Sequence, residues 1–172
     1  MQSGSYLYAW LNNIYIIKLV GSLTYSTSGD LDAFINRIFS EGDFSNILID
    51  LSETDSLDST NLGLLAKIGR YTLNTFQRKT SMISPKEEIN RVLKSMGFDS
   101  VFTVITEPEH FSGNLSAIPH TPRNERETAQ TILDAHRTLM DLNEANRAVF
   151  KNVVKFLEKE IDSRETPPES QP

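Results

Sequence analysis

Apolar and polar positions follow two different rhythms along the first hundred residues. Residues 6–11 and 14–20 are dense in aromatic and β-branched side chains, and Asn12-Asn13 between them tolerates the positive φ angles of a tight turn. That pattern predicts an antiparallel hairpin. Leu31, Phe34, Ile35 and Ile38 then recur at helical spacing over residues 30–39, with Gly42 as a stop signal. Residues 46–51 form a nearly continuous apolar run, the mark of a short strand covered on both faces. A second helix is expected over residues 59–75, with Leu62, Leu65, Ala66 and Leu73 facing inward. Residues 79–83 read as a strand. A third helix opens at Ser84-Pro85, where proline suits the first helical position, and carries Ile89, Val92, Leu93 and Met96 before Gly97 ends it. Residues 101–105 supply the last strand. The order β-β-α-β-α-β-α-β predicts an α/β domain over residues 1–106, a mixed β-sheet covered by helices.

Beyond it the rhythm changes. Residues 107–122 hold three prolines among small polar residues and read as a linker. Residues 123–162 form a long C-terminal helical extension whose apolar positions, among them Ala129, Ile132, Leu133, Leu139, Met140, Phe150, Val153, Val154, Leu157 and Ile161, recur near heptad spacing. His136, Asn143 and Asn146 dilute its middle, which favours an interrupted or bent helix. The alternative is a hairpin, with Asp141-Leu142-Asn143-Glu144 capping a second helix. Such an extension packs on its own domain first, with a dimer or partner contact as second choice. Residues 163–172 are polar and proline-rich and are expected to be disordered.

Composition narrows the function. A formal net charge of -6 argues against nucleic acid and against anionic membrane surfaces, which require clustered Lys and Arg. No apolar run reaches membrane-span length, and the N-terminus lacks a secretory pattern, so a cytoplasmic protein with protein partners is expected. The single N-x-S match, at Asn114, then carries no glycosylation meaning. With zero cysteines there is no disulfide and no thiolate metal site. His110, His120 and His136 share no metal-ligand spacing and read as solvent-facing imidazoles. Neither a metal nor a cofactor is implied.

The chemistry concentrates in residues 47–63, ILIDLSETDSLDSTNLG. An apolar strand ends at Asp50, a polar loop follows, and Asp58-Ser59-Thr60 opens an amphipathic helix. Hydroxyls at a helix start satisfy free backbone N–H groups, and those same groups with the helix dipole favour a phosphate. Ser59 is therefore a candidate phosphoacceptor and Thr60 a secondary one; the bland alternative is a simple cap. Asp50, Asp55 and Asp58 raise a third reading, a Mg²⁺-dependent aspartyl-phosphate domain. Against it, no acidic pair closes an earlier strand.

With that element order and that loop, the chain resembles the STAS domain of bacterial anti-sigma factor antagonists over roughly residues 5 to 106. The resemblance rests on Asp50-Leu51-Ser52, then on Asp58-Ser59-Thr60-Asn61-Leu62-Gly63 against a D-S-[ST]-G-L-G signature, and on the later ISPKEEINRVLKSMGFDSVFTVI segment. It implies a non-catalytic protein in which Ser59 is phosphorylated by a serine kinase, often the anti-sigma factor itself, and restored by a serine phosphatase. Asp58, Asn61, Leu62 and Gly63 would support the phosphosite, and Thr24, Tyr25, Asp55 and Leu57 would meet the partner. Two positions depart from the pattern. Asn61 replaces the first glycine, where asparagine's tolerance of unusual backbone angles would preserve the turn. Thr24 follows Gly21-Ser22-Leu23, where the family tends to carry an acidic residue that contributes to the kinase contact. The runner-up is an adaptor in which the same switch controls another effector, such as a signalling enzyme.

Overall fold

A computed structural model describes residues 3–108 and 110–165. Asn12 and Asn13 adopt φ of 50° and 66° and turn β1 (Ser5–Leu11) back onto β2 (Ile14–Leu23), as their side chains allow. The chain continues through α1 (Tyr25–Glu41), β3 (Asn46–Asp50), β4 (Thr54–Leu57), α2 (Ser59–Phe76), β5 (Thr80–Ile83), α3 (Glu87–Ser95), a 3-10 turn (Phe98–Ser100), β6 (Phe102–Ile105) and β7 (Ser116–Ala117). It ends in α4 (Glu125–Met140) and α5 (Glu144–Glu165). The strands form one mixed sheet in the order β6-β5-β3-β2-β1-β7, antiparallel at β1–β2 and β1–β7 and parallel elsewhere, with β4 pairing β2 off this path.

Most of the apolar positions read from the sequence are buried, whereas Val92 of α3 and Val153 of α5, expected on apolar stripes, are exposed. Leu31, Phe34, Ile35 and Ile38 of α1, Ile47 and Ile49 of β3, and Leu62, Leu65 and Ala66 of α2 share one core cluster. Several boundaries differ. Helix α1 begins at Tyr25, not at residue 30, with Thr24 in extended backbone as its N-cap and the Ser28 hydroxyl donating to the Tyr25 carbonyl within the first turn. Helix α3 starts at Glu87 with Lys86 as N-cap, so Ser84-Pro85 ends the preceding extended segment and does not cap.

Half of the expected loop before α2 is strand β4. It pairs with the far end of β2, Ser22 against Ser56 and Leu23 against Leu57, while β3 pairs with the near end. Thr54, fully buried, donates its hydroxyl to the Leu19 carbonyl at 2.7 Å and fixes that crossover. The stretch expected as a linker contributes β7, and buried Ile118 donates its N–H to the Tyr6 carbonyl.

The extension is a hairpin of two helices, not a single bent rod. Asn124 and Glu127 form a reciprocal capping box at the start of α4, and Asn143 accepts the Asn146 N–H at the start of α5. Asn146 is buried and donates its amide to the carbonyls of Met96 and Leu139, which pins the hairpin's turn to the domain. Asn143 and Asn146 thus interrupt the heptad because they build a corner. Helix α5 extends to Glu165, past the expected boundary at residue 162; residues 166–172 of the expected disordered tail lie outside the described residues.

Candidate functional site

Pairing of β2 with β4 brings two distant loops to one corner. The Asp58 N–H bonds the Leu23 carbonyl at 3.1 Å, so Thr24 and Tyr25, which open α1, lie beside Asp58 and Ser59, which open α2. Thr24 and Asp55 are exposed, Tyr25 is 54% exposed, and Leu57 is half-buried. Asp55 is held by Lys86 Nζ at 3.1 Å and leans toward the start of α3.

Asp58 is the N-cap of α2. Its Oδ1 accepts the Asn61 N–H at 2.9 Å, which stabilises a helix start by about 1 kcal/mol. Ser59 is the first residue of the helix and half-buried. Thr60 is 3% exposed and its side chain lies inside the fold, so the secondary phosphoacceptor expected there is not a surface hydroxyl. Asn61 is also a correction. It occupies ordinary helical backbone within α2, and its role lies in its side chain. Fully buried, it donates Nδ2–H to Asp58 Oδ1 at 2.9 Å and accepts the Tyr6 hydroxyl proton at 2.5 Å. Thr27 donates in turn to the Tyr6 oxygen at 3.5 Å. A neutral chain of polar groups therefore runs from α1 through β1 to the cap beneath Ser59. Burial, with Asp58 adding to it, pushes the Tyr6 phenol up to about 12.

Gly63 explains its motif position by contact. A Cβ there would stand 2.2 Å from the Ala135 carbonyl oxygen, so α4 sits against the backbone of α2. That seating brings up a residue the sequence reading had assigned to solvent. His136 is 4% exposed, packs edge-on against Phe150 of α5 with ring centroids 5.4 Å apart, and places Nε2 2.8 Å from Ser59 Oγ. The signal was present: His136 falls on the Ala129, Ile132, Leu133, Leu139 stripe at helical spacing, which marks a buried position. By contrast His110 is exposed, and His120 is exposed with Nδ1 3.1 Å from Asp30.

The three aspartates of the Mg²⁺ reading do not converge. Asp50 is fully buried, 3.8 Å from Lys18 Nζ, and accepts the N–H groups of Ser52 and Phe111. Asp55 is tied to Lys86, and Asp58 caps α2. Among the described residues, no three metal-ligating side chains cluster. Among them too, no helix is long and apolar enough to cross a membrane.

Comparison with known families places this corner in context. The STAS domain family matches residues 10–111, and the chain belongs to it. No curated protein sequence matches the chain. Similar solved structures include the phosphorylated form of the Bacillus cell fate determinant SpoIIAA, at 19% identity, covering 60% of this chain and 93% of that one with a TM-score of 0.49. The NMR structure of TM1081 is 22% identical over 57% of this chain and 78% of its own, with a TM-score of 0.47. The anti-sigma factor antagonist SpoIIAA in its unphosphorylated form is 20% identical over 52% and 82%, with a TM-score of 0.45. Helices α4 and α5 lie beyond the matched family segment.

Proposed function

We propose that this chain is a non-catalytic, cytoplasmic anti-sigma factor antagonist whose partner binding is switched by phosphorylation of Ser59. One observation carries the reading: in a STAS-family chain, the Ser59 hydroxyl stands at the head of α2, on the corner where Thr24 and Tyr25 are exposed. The partner is an anti-sigma factor, a serine kinase, or one protein that is both, and a serine phosphatase restores the unmodified form.

The size of the electrostatic effect fits a switch of partners more than a change of fold. Phosphate adds about 1.5 to 2 negative charges at neutral pH. In the free domain the helix N-terminus favours that charge by roughly 0.3 to 1 kcal/mol, and the neighbouring Asp58 opposes it by a similar amount. Across an interface, two charges facing one at about 6 Å and an effective dielectric near 40 repel by roughly 3 kcal/mol, on the order of a hundredfold in affinity.

Ser59→Asp is therefore expected to lose the partner held by the unmodified protein, while Ser59→Ala keeps it. Phosphopeptide mass spectrometry from cells should find the phosphate on Ser59. Equal capture of that partner by both variants would place the switch elsewhere. A hydroxylamine-labile phosphate would place it on an aspartate.

A further inference from the structure

His136 meets Ser59 with the geometry of a proton acceptor. Its Nδ1 lies 2.7 Å from the Ile132 carbonyl oxygen, which offers only lone pairs, so Nδ1 carries the hydrogen of the neutral ring. Nε2 then has its lone pair free, and it faces Ser59 Oγ at 2.8 Å, within the range for proton transfer. The ring has little room to turn away, because Phe150 packs against it and the close approach of Ala135 to Gly63 fixes α4 one residue earlier.

Several charged groups on the surrounding helices are engaged elsewhere. On α2, Asp58 is committed to the cap and Lys67 to Asp32. On α1, Asp32 is shared between Lys67 and Arg123. On α4, Arg137 pairs with Asp134 and with Glu158 of α5, and the α5 residue that touches the imidazole is the uncharged Phe150.

We propose that His136 is a built-in proton acceptor and counter-cation for Ser59, an inference that rests on Ser59 being the phosphoacceptor. In the transfer step Ser59 Oγ bonds to the γ-phosphorus of a nucleoside triphosphate brought by a kinase. The bond from that phosphorus to the bridging oxygen breaks and releases the nucleoside diphosphate, while the hydroxyl proton passes to His136 Nε2. The imidazolium then faces the phosphate it helped to form, whose charged oxygens stand one atom, the phosphorus, beyond Oγ, and an opposite charge so near favours the protonated ring. The Nδ1–H bond to Ile132 is unchanged by the transfer. Helix α4 stays seated on α2 in both states, held by a neutral hydrogen bond in one and by an ion pair in the other.

Nitrogen NMR of the histidine side chains tests this on the whole chain, with phosphoserine installed at position 59 by genetic encoding so that no kinase is needed. At pH 7.5 the unmodified protein should show His136 protonated on Nδ1 and bare on Nε2. The phosphoserine protein should show both nitrogens protonated, with amide protection of α4 and α5 retained. Ser59→Ala should leave Nε2 bare at the same pH. A bare Nε2 beside phosphoserine overturns the proposal, and so does loss of amide protection in α4, which would mean that the phosphate expels the hairpin. If the phosphoserine chain does not fold, the unmodified protein still decides: a hydrogen on Nε2 with a bare Nδ1 overturns it. Failure to find phosphate on Ser59 in cells would sink the proposed function and leave these spectra as they are.

Discussion

Asp50 and Asp58 bracket one loop, the first closing β3 and the second preceding α2, and the surrounding chain supports them by opposite means. Around Asp50 the groups are charged and sealed: Lys18 is 4% exposed, Asp50 is fully buried, and the remaining carboxylate lone pairs take the N–H groups of Ser52 and Phe111. Lys18 also reaches Glu53 at the surface. This clamp draws the segment after β6 across the end of the sheet. Around Asp58 the supporting groups are neutral: Asn61, Tyr6 and Thr27 pass hydrogen bonds from one to the next beneath a half-buried serine. The difference is one of what each region can tolerate. A buried charge whose partners are all inside the fold cannot exchange one without stranding another. A corner built on neutral groups can gain charge at its rim while every bond below it stays made.

The largest effect expected from this contrast is on stability at the charged end. Asp50→Ala leaves Lys18 with Glu53 alone and two backbone donors without acceptors, which should cost about 3 to 5 kcal/mol in urea denaturation. Ser59→Ala, at the neutral end, should cost less, about 1 to 2 kcal/mol, because it removes one hydrogen bond and leaves the buried His136 Nε2 without a partner. Equal losses in the two variants would erase the distinction between clamp and corner.

The next effect is alkaline. Burial raises the Tyr6 phenol from 10 to about 12, so below pH 10 the folded and unfolded chains both keep this proton. Between pH 10 and about 12 the unfolded chain releases it and the folded chain does not. The stability contributed by Tyr6 is thus fully present below pH 10 and is lost as the pH rises to about 12, a loss of roughly 2 to 3 kcal/mol at most. Tyr6→Phe should flatten that part of the stability curve. Denaturation curves for both proteins from pH 9 upward would check it, and an identical alkaline loss in the variant would show that other groups cause it.

Much of this was legible in the sequence. The hairpin at Asn12-Asn13, the apolar faces of α1 and α2, and the hydroxyl at the head of α2 all follow from local pattern, because each is set by side chains close in sequence. What escaped depends on residues far apart. The sequence TDSL carries little strand character, and becomes β4 because β2 is long enough to offer it a free edge. Thr60 reads as a second surface hydroxyl until the helix phase turns it inward. His136 is 77 positions from Ser59, and only the packing of Gly63 against Ala135 brings the two together.

Asn61 gives the smallest and most discriminating test, because two explanations of it predict opposite orders. If asparagine stood there for backbone freedom, glycine would be neutral or better and alanine worse. The structure instead has Asn61 in ordinary helical backbone, with its amide bonded to Asp58 and to the Tyr6 hydroxyl. Both Asn61→Ala and Asn61→Gly should then cost about 1 to 2 kcal/mol, since each leaves the buried phenol with only its long contact to Thr27. Glycine should be the worse of the two by about 0.5 to 1 kcal/mol, its usual penalty against alanine inside a helix. Tyr6→Phe combined with Asn61→Ala should recover part of the loss, because no phenol remains to be stranded. Paired urea denaturation curves decide it: alanine less stable than glycine would mean that the motif glycine was replaced for the sake of the turn, and that the neutral chain beneath Ser59 does not hold the corner in place.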